Sequence, residues 1–267
     1  MAVKRVEFLN REQNIRGVLY LHKKAPLIVL CHGFTSDKDV KLLVFLSKFL
    51  YNNGYSVFRF DFRGSGESGG EFTGIDAEIS DLKQVMKFVK PYSKDIILIG
   101  HSFGSSIIAL SKIKAKTVVM INPALSAELT AFTFLRRLIP LFLIHKIFKG
   151  IDGITDKTFE NIEATGKLMK STFRFKLSEE SLDESRRLSV RIVKNIHAPI
   201  FFIQSTKDRF VHVKGTEQAF NLAHNPKQLF LVEGANHTIS AYKHKLIVAK
   251  KILGWLTENG LKGYSKK

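Results

Sequence analysis

The chain has a single cysteine and a single tryptophan among 267 residues, only six prolines, and no long uninterrupted apolar run. With no partner for Cys31 inside the chain, no disulfide framework holds the fold, and a reducing compartment is expected. A membrane helix needs roughly 20 consecutive apolar residues. The most apolar stretch, Leu138–Phe148, is broken by His145 and Lys146. The opening residues Met1-Ala2-Val3-Lys4-Arg5-Val6-Glu7 place charges where a secretion signal has its apolar segment. These absences predict a cytoplasmic protein. Acidic residues are also scarce, with 24 Asp and Glu against 42 Lys and Arg, a net charge of +18. The excess is +7 over residues 1–125, +4 over 126–198 and +7 over 199–267, so it is spread along the chain. No basic run is interleaved with aromatics as a single-strand binder requires. No nucleic-acid partner is expected, and the charge is read as lysine-rich composition.

What is present is alternation of short apolar strands with helices, the pattern of a largely parallel sheet covered on both faces. Val3–Leu9 and Ile15–Leu21 predict an opening hairpin, and Pro26–Cys31 a strand buried on both sides. Helical spacing follows over Val40–Asn52, a strand over Tyr55–Phe60, and a helix over Ile75–Val89 with apolar residues three and four apart. Asp95–Ile99 reads as a strand, Phe103–Ile113 as a helix and Thr117–Ile121 as a strand. After Pro123 the alternation lapses for about 70 residues, with helical patterns including Ser181–Val193 but no central strand. It resumes with the strand Pro199–Ile203, a helix near Gly215–Ala223, the strand Gln228–Val232 and a helix from Ser240 to Thr257. The simplest architecture is one core, residues 1–125 and 197–267, with an insertion over 126–196 set as a helical cap above the strand ends.

The chemistry-bearing residues follow the strands. Gly100-His101-Ser102-Phe103-Gly104 matches G-x-S-x-G between a strand and a helix. In that setting the serine is forced onto a sharp turn, at the positive end of the helix that follows. An inert glycine-rich turn is the plain alternative. A serine hydroxyl needs a neighbouring imidazole to take its proton. Of nine histidines, His237 lies in the loop after the last strand, from which a side chain can reach the strand ends. His22, His145 and His244 neighbour lysines and read as solvated, and His101 is expected to point along its own backbone. Asp208, in the loop after Pro199–Ile203, is the candidate to orient the imidazole, in the order Ser, Asp, His. Its plain alternative is a turn cap. Asp61 and Asp81 precede the serine and would break that order. Backbone N–H groups of Phe103 and of Phe34, in Cys31-His32-Gly33-Phe34, are the candidate oxyanion donors. His32 reads as a loop brace. The loop Asp61-Phe62-Arg63-Gly64-Ser65-Gly66-Glu67-Ser68 reads as structural, with Asp61 and Arg63 as a bracing ion pair; its glycines lack the Lys-Ser/Thr of a phosphate-binding loop.

These four ordered motifs resemble the α/β-hydrolases over nearly the whole chain, in the branch of serine aminopeptidase-like hydrolases, monoacylglycerol lipases and bacterial cinnamoyl (feruloyl) esterases. The resemblance implies a mostly parallel eight-stranded sheet with helices on both faces and a cap, and a serine carboxylesterase with no cofactor and no metal. Its partner would be a small to medium ester, aryl or cinnamoyl esters among them. Gly69-Gly70-Glu71-Phe72, followed by a helix with Glu78 and Asp81, is similar to the cinnamoyl esterase group. Four readings stay beside one another on the sequence: an esterase, a peptidase with a cap acid receiving the substrate amine, a thioesterase or acyltransferase, and a non-catalytic binding protein. Cap phenylalanines such as Phe132, Phe142 and Phe159 fit either an acyl pocket or helical packing. The basic stretch Phe132–Gly150 raises contact with a lipid surface as a lesser reading. Oligomeric state is not readable.

Overall fold

The computed structural model describes residues 3–126, 174, 184 and 186–264. Most of the predicted cap thus lies outside the described residues, together with its phenylalanines, His145 and Phe132–Gly150. Among the described residues no helix is long and apolar enough to cross a membrane.

Strands β1 (Val3–Asn10) and β2 (Gln13–Tyr20) form the opening hairpin, its turn made by Arg11 at φ 56°. They continue into β3 (Leu27–Cys31), β4 (Ser56–Phe60), β5 (Ile96–His101), β6 (Thr117–Ile121), β7 (Ile200–Ser205) and β8 (Lys227–Val232). All eight join one sheet in the order β1-β2-β4-β3-β5-β6-β7-β8, antiparallel at β1–β2 and β2–β4 and parallel elsewhere. The predicted fold class is the observed one.

Strands β3 to β6 are buried at every position because their sequences, such as Leu27-Ile28-Val29-Leu30-Cys31, are apolar on both faces. Alternate residues divide between two cores. Leu27, Val29 and Cys31 join one with α2 (Ile75–Val89), α3 (Phe103–Ser111) and α4 (Val213–Leu222); Ile28 and Leu30 join the other with α1 (Lys41–Asn52) and α5 (Tyr242–Glu258). The strand order explains the split. From β3 the chain winds one way through α1 to β4, and from β5 the other way through α3 to β6. Crossovers of one hand then put α1 and α3 on opposite faces. The order therefore reverses between β3 and β5, the place where such sheets open a crevice at their carboxyl ends. Cys31 lies in register with Gly100, so the loops after both strands leave the sheet at the same level.

Boundaries differ from the sequence expectations where the ladder decides them. β5 runs through His101, because Gly100 and His101 pair with Met120 and Ile121, and β7 runs to Ser205 against Val232. α3 stops at Ser111, where Lys112 turns left-handed at φ 54°. The helix expected over Ser181–Val193 is not continuous: residues 186–189 leave helical geometry, and a 3-10 helix occupies Val190–Asn195 with Ser189 accepting from the Arg191 amide at 3.3 Å.

The loop after β4 is held by buried charges, and not by the pair expected. Asp61 does not meet Arg63. Its carboxylate accepts from Lys38 Nζ at 2.8 Å and from the amides of Lys38 at 2.6 Å and Glu67 at 2.9 Å. Arg63 instead grips Asp81 on α2 with contacts of 2.6 to 3.1 Å. The chain leaves the ladder after Phe60, so the two side chains are not held on one face, and each is taken by another buried partner, Asp61 by Lys38 and Arg63 by Asp81. Burial pulls the Lys38 ammonium down, but hydrogen bonds to Asp61 and Glu67 outweigh it and hold the group above its usual value. Gly66 is required here, since a Cβ would lie 2.5 Å from the Asp61 carboxylate.

Removing one member of a buried pair leaves the other charged and unpaired. Asp61→Ala is therefore expected to cost about 3 kcal/mol in urea unfolding, at the lower end of that effect because Lys38 keeps Asp39 and Glu67. Arg5→Ala, which breaks an exposed contact with Glu67, is expected to cost less than about 1 kcal/mol. Equal costs for the two would refute this account of the loop.

Candidate active site

The elbow after β5 places Ser102 at φ 53° and ψ −120°, a conformation that L residues rarely hold and that costs on the order of 1–3 kcal/mol. Close packing enforces it. A Cβ on Gly100 would lie 2.6 Å from the Ser105 nitrogen, and one on Gly104 would lie 2.5 Å from the His32 carbonyl oxygen. Ladder-like bonds complete the fixation: the Ser102 N–H donates to Ile121 O at 2.9 Å, and the Ala124 N–H donates to Ser102 O at 3.2 Å.

Three loops bring the predicted residues together. His237 Nε2 lies 3.0 Å from Ser102 Oγ, and its Nδ1 lies 2.7 Å from Asp208 Oδ2. An ionised carboxylate only accepts, so these partners assign the proton to Nδ1 and leave Nε2 to accept from the serine. Asp208 fills the cap role as well. Its other oxygen accepts from the amides of Phe210 at 2.8 Å and Val211 at 2.9 Å. Burial pushes the Asp208 carboxyl up, but His237 and these two amides outweigh it and hold it below the usual value. The Asp208 and His237 loops are lashed to each other, with Lys207 N–H donating to Ala235 O at 2.9 Å and Gly234 N–H to Thr206 Oγ1 at 2.9 Å.

Phe34 and Phe103 belong to segments in direct contact at the serine, where a Cβ on Gly33 would approach Ser102 Cβ to 3.1 Å. Their rings meet edge-on at 5.6 Å, and Phe72 packs on Phe34 at 5.1 Å. His32 is a buried connector: its Nδ1 donates to Gly33 O at 2.8 Å and its Nε2 accepts from the Phe62 amide at 3.0 Å, joining the loops after β3 and β4. Burial lowers its pKa. Among the described residues no three of His, Cys, Asp and Glu gather as a metal site would.

Several side chains stand elsewhere than the sequence led one to expect. His101 does not run along its own backbone; its Nε2 donates to the His237 carbonyl at 2.9 Å. His244 is buried, and His22 is half-buried and stacked on Tyr51 at 4.2 Å. Adjacent lysines therefore did not report exposure. Asn122 is a single polar residue after an apolar strand and carries no motif, and Ser205 lies in the polar run Gln204-Ser205-Thr206-Lys207-Asp208, where nothing in the sequence sets it apart. Within the predicted insertion, Arg174 donates its amide to Gly64 O at 2.6 Å and accepts from the Phe72 amide at 2.8 Å.

Burial, then the nearby His237, lowers the His101 pKa from 6.5 to about 4. Such a histidine takes up a proton when the chain unfolds between those values. Its contribution is intact above pH 6.5 and declines as the pH falls toward about 4, by about 3 kcal/mol in all. Urea unfolding at pH 7 and pH 4 should show a smaller acid-induced loss for His101→Phe than for wild type. Identical losses would contradict the burial of a neutral ring.

The known proteins that this chain resembles agree with the architecture. The family described as "Serine aminopeptidase, S33" matches residues 22–241. The uncharacterized protein YqkD of Bacillus subtilis (strain 168) is 24% identical over 241 residues, 88% of this chain and 72% of its own. Among solved structures, DcsB in complex with its substrate analogue has a TM-score of 0.73 at 22% identity, covering 97% of this chain and 100% of that one. Est1E from Butyrivibrio proteoclasticus with bound ferulic acid has a TM-score of 0.72 at 16% identity, covering 96% and 100%. At such identities the structural likeness speaks for the fold. With the family matched over most of its length and the fold matched over nearly all of it, the chain belongs to the serine aminopeptidase S33 family of α/β-hydrolases.

Proposed function

We propose that this hydrolase is a serine carboxylesterase that works through an acyl-enzyme intermediate. The observation that carries the reading is the continuous contact from Ser102 Oγ through His237 to Asp208, at 3.0 and 2.7 Å. Ser102 Oγ bonds to the ester carbonyl carbon while its proton passes to His237 Nε2. Asp208 keeps the Nδ1 proton and stabilises the imidazolium. The carbonyl oxygen becomes an oxyanion, received by the amides of Phe34 and Phe103. Collapse breaks the bond to the leaving oxygen, which takes the proton from His237 and departs as the alcohol. Water then attacks the acyl group and gives a proton to His237; the bond between the acyl carbon and Ser102 Oγ breaks, Oγ takes that proton back, and the carboxylic acid leaves.

The edge-on group of Phe34, Phe72 and Phe103 beside the serine favours an apolar, planar acyl or aryl group on a small to medium ester. The fold shared with a ferulic acid-binding protein supports the same choice. Nucleic acid has no part in this reading, and no cofactor is needed.

Turnover of p-nitrophenyl esters from acetate to decanoate tests the proposal. Ser102→Ala and His237→Ala are each expected to lower kcat by 10⁴-fold or more, on the order of the losses seen when members of such a unit are removed. Wild-type turnover that survives Ser102→Ala would refute the mechanism.

A further inference from the structure

The end of β6, residues 121–124, meets the serine turn, the histidine loop and the strand that leads to Asp208. Asn122 follows the last ladder position of that strand and takes the left-handed conformation, φ 47°, which asparagine tolerates better than most residues. It is fully buried, so each of its polar atoms needs a partner. The amide oxygen accepts from the Ser205 N–H at 2.7 Å, and the amide nitrogen donates to Ser205 Oγ at 3.1 Å and to the His237 carbonyl at 2.7 Å. Ser205 ends β7, three residues before Asp208. On either side, Ile121 O receives the Ser102 amide and the Ala124 amide returns to Ser102 O. The His237 carbonyl has a second donor, His101 Nε2 at 2.9 Å, on the residue preceding the serine.

We infer that Asn122 is a positioning residue of the triad, tying the histidine loop and the aspartate strand to β6, whose Ile121 carbonyl holds the Ser102 amide. The consequence for turnover rests on the serine-hydrolase reading; the positioning itself does not. A loop histidine reaches its partners through a free χ1 and χ2, so its ring position depends on where the main chain at that residue is held. Among the described residues the His237 ring makes polar contacts with Ser102 and Asp208, and its carbonyl is held by two side-chain donors. Of these two donors Asn122 also grips the end of the strand leading to Asp208, and so adds a tie through β6 to the direct bonds between the acid and base loops. An error of about 1 Å at such a centre costs on the order of 10²-fold in rate.

Asn122→Asp separates positioning from folding. Aspartate has the same shape, tolerates the left-handed conformation and still accepts from the Ser205 amide, but sets a carboxylate oxygen against the His237 carbonyl. Expected is a fall in kcat of about 10²-fold on p-nitrophenyl acetate with KM within about twofold, since the lost interaction acts on the base and not on the bound ester. In a His237→Ala background the same substitution should change residual turnover by less than about twofold, because a residue acting through His237 has nothing left to act on. Proton NMR supplies a readout independent of turnover. The low-field Nδ1–H resonance of His237, identified by its loss in Asp208→Asn, should broaden or vanish in Asn122→Asp. His101→Phe, which removes the other donor, should weaken the same signals by a smaller factor and serves if Asn122→Asp does not fold. Equal losses in the presence and absence of His237 would show a merely structural role and overturn the inference, as would a low-field resonance unchanged in both variants. If Ser102→Ala retained full turnover, the esterase reading would fall, and the resonance alone would decide on the positioning.

Discussion

A serine at φ 53° between a strand and a helix persists only if its surroundings leave no easier path. Here the surroundings are backbone. Carbonyls of Cys31 and His32 press on the position of Gly104, and the Ser105 amide presses on Gly100. That closeness needs β3 and β5 to be neighbours in register, which in turn needs the winding to reverse between them. The strain at one residue thus follows from the order of the whole sheet. It is sustained by two apolar cores whose strands are buried on both faces. The same reversal explains why the loop with Phe34 and the turn with Phe103 face each other: both leave the sheet at the crevice that it opens.

Around that turn the loops are fixed by groups that would be costly to leave unpaired. Lys38 and Asp61 hold the loop after β4, and Arg63 and Asp81 tie it to α2. His32 bridges it to the loop after β3 as a neutral ring. His101, also neutral because burial lowers its pKa to about 4, does the same between the elbow and the last loop. A neutral His101 beside His237 fits the proposed mechanism, since a second positive charge there would oppose an imidazolium. Rigid strand ends and satisfied buried polar groups together keep three separate loops in mutual register.

Much of this was readable from the chain. Apolar runs separated by turn residues located each strand within about two residues, and most plainly β3 to β7, whose burial on both faces calls for a continuous apolar run. The elbow, Asp208 and His237 were found from their place after strands, since a side chain reaches the crevice only from there. Pairings were not readable. Asp61 and Arg63 look adjacent in sequence, yet their partners, Lys38 and Asp81, lie on other elements. Asn122 is one polar residue after an apolar strand, and its importance lies in contacts more than 80 residues away, at Ser205 and His237. The ends of β5 and β7 were missed for the same reason: ladder bonds to a neighbouring strand set them, and local sequence does not.

Covalent trapping tests the central claim most directly. A fluorophosphonate probe reacts only with a serine whose hydroxyl is activated, and intact-mass and peptide mass spectrometry then show which residue carries the adduct. The account predicts one adduct per chain, on Ser102, absent from Ser102→Ala. A folded protein that stays unlabelled, or one labelled at another residue, would contradict it.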